Sequence, residues 1–339
     1  MGTLNRSEKR RFVALGVTLL ALVGANSAHA QCRAPGQFSA CFDADPIWPS
    51  ASASRLVLVS PATVTATGRV LVGVAATHGT RLVTLEVPAP DPAGRELSIV
   101  RRVSTLTLVS AVGLGAGSEA TLSIPWTATQ QGLGLDGIRS QTGEALPQHP
   151  LRDPRLGFAS ELWRYRAVAE ATLGTRYTLV LPIGNEQALA GERGIVGAPA
   201  LTMELQIGRF FAGVETGARL RQPTQLANAR LGTQLVTAAG IGLEVVAEDR
   251  LTLSAEAFLA PTLVEQPEAG SALAPAEWMI SASATPLGSK GPSLVLGGGG
   301  GLPLSTNPDS SLVGMTSPAL RIVAIVRQPL ALARDGPSK

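Results

Sequence analysis

Apolar and polar positions alternate singly along most of the chain. In residues 201–221, Leu201, Met203, Leu205 and Ile207 alternate with Thr202, Glu204 and Gln206; after Gly208-Arg209 the alternation resumes with Phe210, Ala212 and Val214 against Glu215, Gly217, Arg219 and Arg221. A period of two with a tight break predicts two antiparallel strands joined by a short turn. The same alternation recurs in residues 69–84, 104–114, 119–129, 176–183, 230–246, 250–259, 277–285 and 319–327. No helical period competes with it after the first thirty residues.

The connections have a rhythm of their own. Residues 116–118, 208–209, 247–249 and 288–291 read as tight turns. Between them fall longer polar links rich in Gly, Pro, Asn and Asp, at 132–152, 184–196, 222–229, 264–272 and 305–317. Alternation of short and long connections is what a transmembrane β-barrel requires, with short periplasmic turns at one rim and longer extracellular loops at the other. Lipid leaves no partner for an open sheet edge, so a spanning sheet must close on itself. The expected fold is therefore all-β: a closed antiparallel barrel of about twelve strands, within a range of roughly 10–14 set by spanning length. Residues 163–173 do not fit the rhythm. A secreted soluble all-β binding domain is the second reading, because it shares the alternation.

Composition sharpens this picture. Hydrophobic residues make up 45% of the chain but aromatics only 4%, so a large aromatic-rich soluble core is not expected. Arg6, Lys9, Arg10 and Arg11 precede an apolar run at 12–25, and Ala28-His29-Ala30 follows it. These are the three regions of a secretory signal, with cleavage expected after Ala30. Of 28 Lys+Arg and 25 Asp+Glu, this leader holds four and one, leaving 24 of each in the mature chain. A neutral mature chain removes the motive for nucleic-acid binding. Cys32 and Cys41 are its two cysteines, and in an exported chain they are expected to form a local disulfide. The expected organisation is a signal peptide at 1–30, a periplasmic segment at 31–66, a barrel at 67–328 and a disordered tail at 329–339. The expected location is the outer membrane.

Several short stretches, in order, resemble a family of myxobacterial outer-membrane barrels that often form the N-terminal part of OmpA-like proteins. They are CFDADPIWP (41–49), PDPAGRE (90–96), DPRLG (153–157), LVLPIG (179–184), AGERG (190–194) and GARLR (217–221). The resemblance implies an outer-membrane barrel and carries no catalytic residue with it. The peptidoglycan-binding domain that often follows such barrels is not expected here, since QPLALARDGPSK follows Arg327 without a terminal aromatic.

The alternation assigns Glu204, Glu215, Arg219, Arg221, Arg230, Gln234, Glu244, Arg250, Glu256, Glu277, Arg321 and Arg327 to the inward face. Such a lumen conducts small solutes weakly selectively, or its opposed Arg and Glu side chains pair across a narrow barrel and close it. Catalysis would need a Ser–His pair with an orienting acid. The mature chain offers only His78 and His149, neither with a serine placed by a motif. No enzyme, cofactor or metal site is expected; the expected partners are outer-membrane lipid, the barrel-assembly machinery and small solutes. The run Gly297–Gly301 is not followed by the Lys-Ser/Thr of a phosphate cradle and reads as a compositional feature of a barrel wall.

Overall fold

The computed structural model describes residues 41–87, 95–135, 146–226, 229–246, 250–265, 274–288, 291–302, 312–313 and 318–331. Twelve antiparallel strands form one sheet: β1 (Arg69–Val87), β2 (Arg95–Gly115), β3 (Ser118–Gln131), β4 (Arg155–Arg166), β5 (Glu170–Val180), β6 (Val196–Ile207), β7 (Phe210–Arg219), β10 (Gln234–Val246), β11 (Leu251–Leu259), β12 (Ala276–Ala284), β13 (Ser293–Gly301) and β15 (Leu320–Ala331). Each pairs with its neighbours in sequence, and β1 pairs with both β2 and β15, which closes the barrel. The shorter β8 (Thr224–Leu226) and β9 (Ala229–Leu231) form a separate hairpin, and β14 (Leu312–Val313) lies against the end of β1.

The apolar face of the alternation is outside. Met203 and Val214 are exposed, as are Ile241, Leu253, Ile280 and Ile322, while Glu256, Glu277, Met279 and Arg321 on the alternate positions are buried. An exterior of this kind requires lipid, because water would leave a continuous apolar belt unsatisfied. Trp126, Tyr177 and Trp278 lie toward one end of this belt, and Trp163 and Tyr165, stacked with ring centroids 5.9 Å apart, lie near the other.

The β2–β3, β4–β5, β6–β7, β10–β11 and β12–β13 links share the rim where β1 begins and β15 ends. They include Ala116-Gly117, at positive φ, and Gly208-Arg209. Residues 163–173, which the connection rhythm could not place, are the fifth hairpin: β4 runs through Arg166, β5 starts at Glu170, and the Ala167 N–H donates to Ala169 O at 3.0 Å. No Gly or Pro marks that turn, so no local signal announced it. The links at the opposite rim are mostly longer, the β1–β2 link at 88–94 excepted. There the expected strand at 230–246 is shorter: Arg230 and Leu231 belong to the β8–β9 hairpin and the barrel strand starts at Gln234. The last strand is longer than expected, since Pro329, Leu330 and Ala331 pair with Leu71, Val70 and Arg69.

Residues 41–66 run through the interior of the barrel. The segment expected outside it as periplasmic is thereby corrected for its described part; the signal at 1–30 and residues 31–40 lie outside the described residues, as does the tail from 332. Phe42 and Ala44 pack at the long-loop mouth with Leu82, Ile99, Leu146, Leu189, Leu226 and Leu231. Val57 packs on Ala75, Met279, Val295, Val323 and Ile325 at mid-barrel. Ile47, Leu56 and Val59 meet Phe211, Ala238 and Phe258. At the short-turn rim the Arg69 N–H donates to Ala66 O, where the segment turns into β1.

Candidate functional site

The interior segment forms no strand ladder of its own, so its peptide groups need partners. The inward carboxylates and guanidiniums of the wall supply them. Glu256 on β11 accepts from the N–H groups of Val57 (2.8 Å), Leu58 (2.7 Å) and Val59 (3.3 Å). Glu215 on β7 accepts from Ser60 N–H at 2.7 Å, and Glu204 on β6 from Ala62 and Thr63 at 3.1 and 3.2 Å. Glu119, at the start of β3, accepts from Thr65 N–H at 2.8 Å and from the Ser52 hydroxyl. The arginines take the carbonyls: Arg219 donates to Pro46 O at 2.8 Å, Arg327 to Ser50 O at 2.9 Å and Arg176 to Pro61 O at 3.3 Å. Arg321, fully buried, bonds Glu277 at 2.6 Å and reaches Asp45 of the segment at 2.9 Å.

Cross-lumen pairing of acids with arginines is therefore only part of what these residues do. Arg321–Glu277, Arg176–Glu119 and Arg221–Glu192 are ion pairs; most other inward charges hold the segment. The filling is also uneven. On β1, β13 and β15 the wall offers Ala75, Val295, Val323 and Ile325, against which Val57 packs. On the β3–β7 side a cavity of ≈ 90 Å³ separates wall from segment; Trp48, Ser60, Thr178, Arg155, Arg176 and Arg219 are among its lining residues, and Glu215 is the only carboxylate there among the described residues. Two guanidiniums lie over the Trp48 ring, Arg219 at 3.8 Å and Arg155 at 4.6 Å from its centroid.

Five of the six stretches that carried the family resemblance meet at the long-loop mouth; the sixth, PDPAGRE, lies largely outside the described residues. Asp43 of CFDADPIWP bonds Arg152 and, at 3.3 Å, Arg155 of DPRLG, and forms a bridge with Ala190 of AGERG. Asp153 accepts from the N–H groups of Gly184 and Glu192, both at 2.6 Å. Glu192 pairs with Arg221 of GARLR at 3.2 Å, and Arg221 also donates to Gln234 at 2.9 Å. Gly184 permits this approach, since a Cβ there would lie 2.4 Å from Ala190 O. Burial pushes the Asp153 carboxyl up to about 7, against the two N–H groups that favour its charged form. Burial also pushes Glu192 up, with Arg221 opposing.

The structure thus brings Glu204, Glu215, Arg219, Glu256, Glu277 and Arg321 to the interior, with Gln234 and Arg221 at the mouth. Glu244 lies on the inward side near the short-turn rim, and Arg250 sits exposed in the adjacent turn. Arg230 is exposed on the β8–β9 hairpin, outside the barrel wall. The Cys32–Cys41 pairing falls on Cys32, which lies outside the described residues. Arg152, Asp153, Arg155, Arg176 and Glu119 were not singled out; Asp153 and Arg155 lie within the quoted DPRLG motif and Arg152 directly precedes it, so that clustering was the available signal. His78 does have a serine: β1–β2 register sets Ser104 opposite it, with Nδ1 and Oγ 2.9 Å apart. This pair lies on the outward parity of both strands, 26 residues apart, where no motif could reveal it. Within Gly297–Gly301, a Cβ on Gly299 would come 1.9 Å from Trp278 O, so this position serves close strand approach.

No protein-family model matches the chain, and no curated protein matches it. Among solved structures, the COG4313 outer membrane channel from Pseudomonas putida F1 aligns with a TM-score of 0.53 at 14% identity, over 80% of this chain and 100% of that one. The NanC porin aligns with a TM-score of 0.45 at 8% identity, over 76% and 97%. The P. putida toluene transporter TodX aligns at 0.39 and 10% identity, over 80% and 91%. The last two scores are too low to carry an argument. The first shows that the chain has the fold of an outer-membrane β-barrel channel.

Proposed function

We propose that this protein is an outer-membrane channel for small solutes whose lumen is filled, at rest, by its own N-terminal segment. The observation that carries the reading is the polar cavity left between residues 41–66 and the β3–β7 wall, inside a barrel whose exterior is apolar. The segment is held largely by side-chain bonds to single peptide groups, which can break one at a time; a strand added to the wall could not. The leader pattern at 1–30 supports export with cleavage after Ala30, the two cysteines support a local disulfide at the segment's start, and lipid and the assembly machinery are the expected partners. The short motifs support kinship with the myxobacterial OmpA-like barrels. A non-enzymatic role is proposed because His78 has no acidic orienter among the described residues and faces away from the lumen.

Planar-bilayer recording tests this. The unmodified protein is expected to give small conductance steps, and a Glu204→Gln/Glu256→Gln variant, with its segment loosened, larger or more frequent ones. A conductance comparable to that of a wide porin in the unmodified protein would refute the filled lumen. Silence from both proteins would favour a structural barrel, a reading supported by the apolar cap around Phe42.

A further inference from the structure

Charge around the cavity does not balance. Three guanidiniums, those of Arg155, Arg176 and Arg219, line it against, among the described residues, the single carboxylate of Glu215, which already accepts from Ser60. Arg155 shares one carboxylate, Asp43, with Arg152. Arg176 shares Glu119 with the Ser52 hydroxyl and the Thr65 N–H. Arg219 has no carboxylate within ion-pair distance among the described residues; it rests on Pro46 O and on the rings of Trp48 and Phe258.

The donors around the cavity are also incompletely used. Arg155 Nε, Arg176 Nε and Trp48 Nε1 are buried without a protein acceptor, although both arginines are more than nine-tenths buried. Buried N–H groups of native proteins find partners, and an unsatisfied group beside a guanidinium favours an anionic one. The hydroxyls of Ser60, Ser123 and Thr178 add adaptable donors on the same lining. A cavity of ≈ 90 Å³ has room for several waters or one small oxyanion.

We propose that this cavity is a binding site for a small oxyanion, a phosphate or carboxylate group, held by Arg155, Arg176, Arg219 and the Trp48 N–H. As a transit site it rests on the channel reading; as a binding site it does not. Calorimetric titration of the full mature protein in detergent, at constant ionic strength in chloride, is the test, with inorganic phosphate and acetate as probes. Saturable one-site binding is expected for at least one of them. Arg219→Gln should weaken it about tenfold or more, the scale of a lost charge-assisted bond. Trp48→Phe keeps a ring beside the guanidiniums and removes the N–H; it should weaken binding about fivefold. Arg166→Gln, which removes an exposed charge paired with Glu170 at the short-turn rim, should leave affinity unchanged. No saturable binding by protein that still shows heat-modifiable migration would overturn the site, as would an affinity in both Arg219→Gln and Trp48→Phe equal to that of the unmodified protein. Binding without conductance would sink the channel reading and leave the site standing; conductance without binding would do the reverse.

Discussion

Glu256 shows how one inward residue replaces a strand's worth of pairing. Its carboxylate accepts from three consecutive peptide N–H groups, and Val57 and Val59 beside it are buried. Replacing it with Ala leaves those donors without an acceptor, at about 1–3 kcal/mol for a buried group. Amide exchange at Val57, Leu58 and Val59 is then expected to accelerate by roughly tenfold or more, while strand amides in β11 stay protected. Unchanged exchange at 57–59 would mean that apolar packing alone holds the segment. The residue's charge was legible in the alternation, and so was its inward direction; its partner, about two hundred positions earlier in the chain, was not.

At the scale of a strand, β6 separates two kinds of failure. Leu205 faces outward and Glu204 inward, where it holds Ala62 and Thr63. An arginine at Leu205, three residues before the Gly208 turn, meets lipid on the short-turn side of the strand, at a cost below the about 2–4 kcal/mol of the bilayer midplane, and should impair assembly as read by heat-modifiable migration on a gel. An arginine at Glu204 stays in the polar interior; it should permit assembly but release the segment, read as faster proteolysis between residues 55 and 66. If Glu204→Arg proves the more harmful to assembly, the assigned facing is wrong. Strand existence and facing were legible because lipid outside and polar groups inside impose a strict period of two. Boundaries were less so: the turn at 167–169 carries no Gly or Pro, and the β8–β9 hairpin continues the alternation of β10 without interruption.

The whole molecule is joined at the long-loop mouth, where the interior segment, the approach to β4 and the link between β5 and β6 converge on Asp43 and Asp153. Burial raises the Asp153 carboxyl to about 7, above its unfolded value near 4. Its contribution to stability is therefore fully present below about pH 4 and is lost as pH rises through 7. Glu192, also raised, acts in the same direction. The amides of Gly184 and Glu192, corrected for intrinsic rates, should be better protected at pH 5.5 than at pH 8.5, and protection that rose with pH would contradict this account. The motifs at 41–49, 153–157, 179–184, 190–194 and 217–221 were visible as words in the chain; that they are the parts of one joint was not.

By itself the sequence determined the barrel: its all-β class, its approximate strand number, the sorting of short and long connections, and the direction of most inward charges. Each of these follows from local periodicity, which the bilayer imposes on every strand alike. Only the tertiary structure decided what the inward charges do. Whether Glu204, Glu215, Glu256 and Arg219 face water, one another or protein depends on what occupies the lumen. Residues 41–66 have no period of their own to show that they occupy it, because their peptide groups are satisfied one by one from six different strands. The same holds for the cavity at Trp48, whose arginines come from β4, β5 and β7 and meet only when the sheet has closed around the segment.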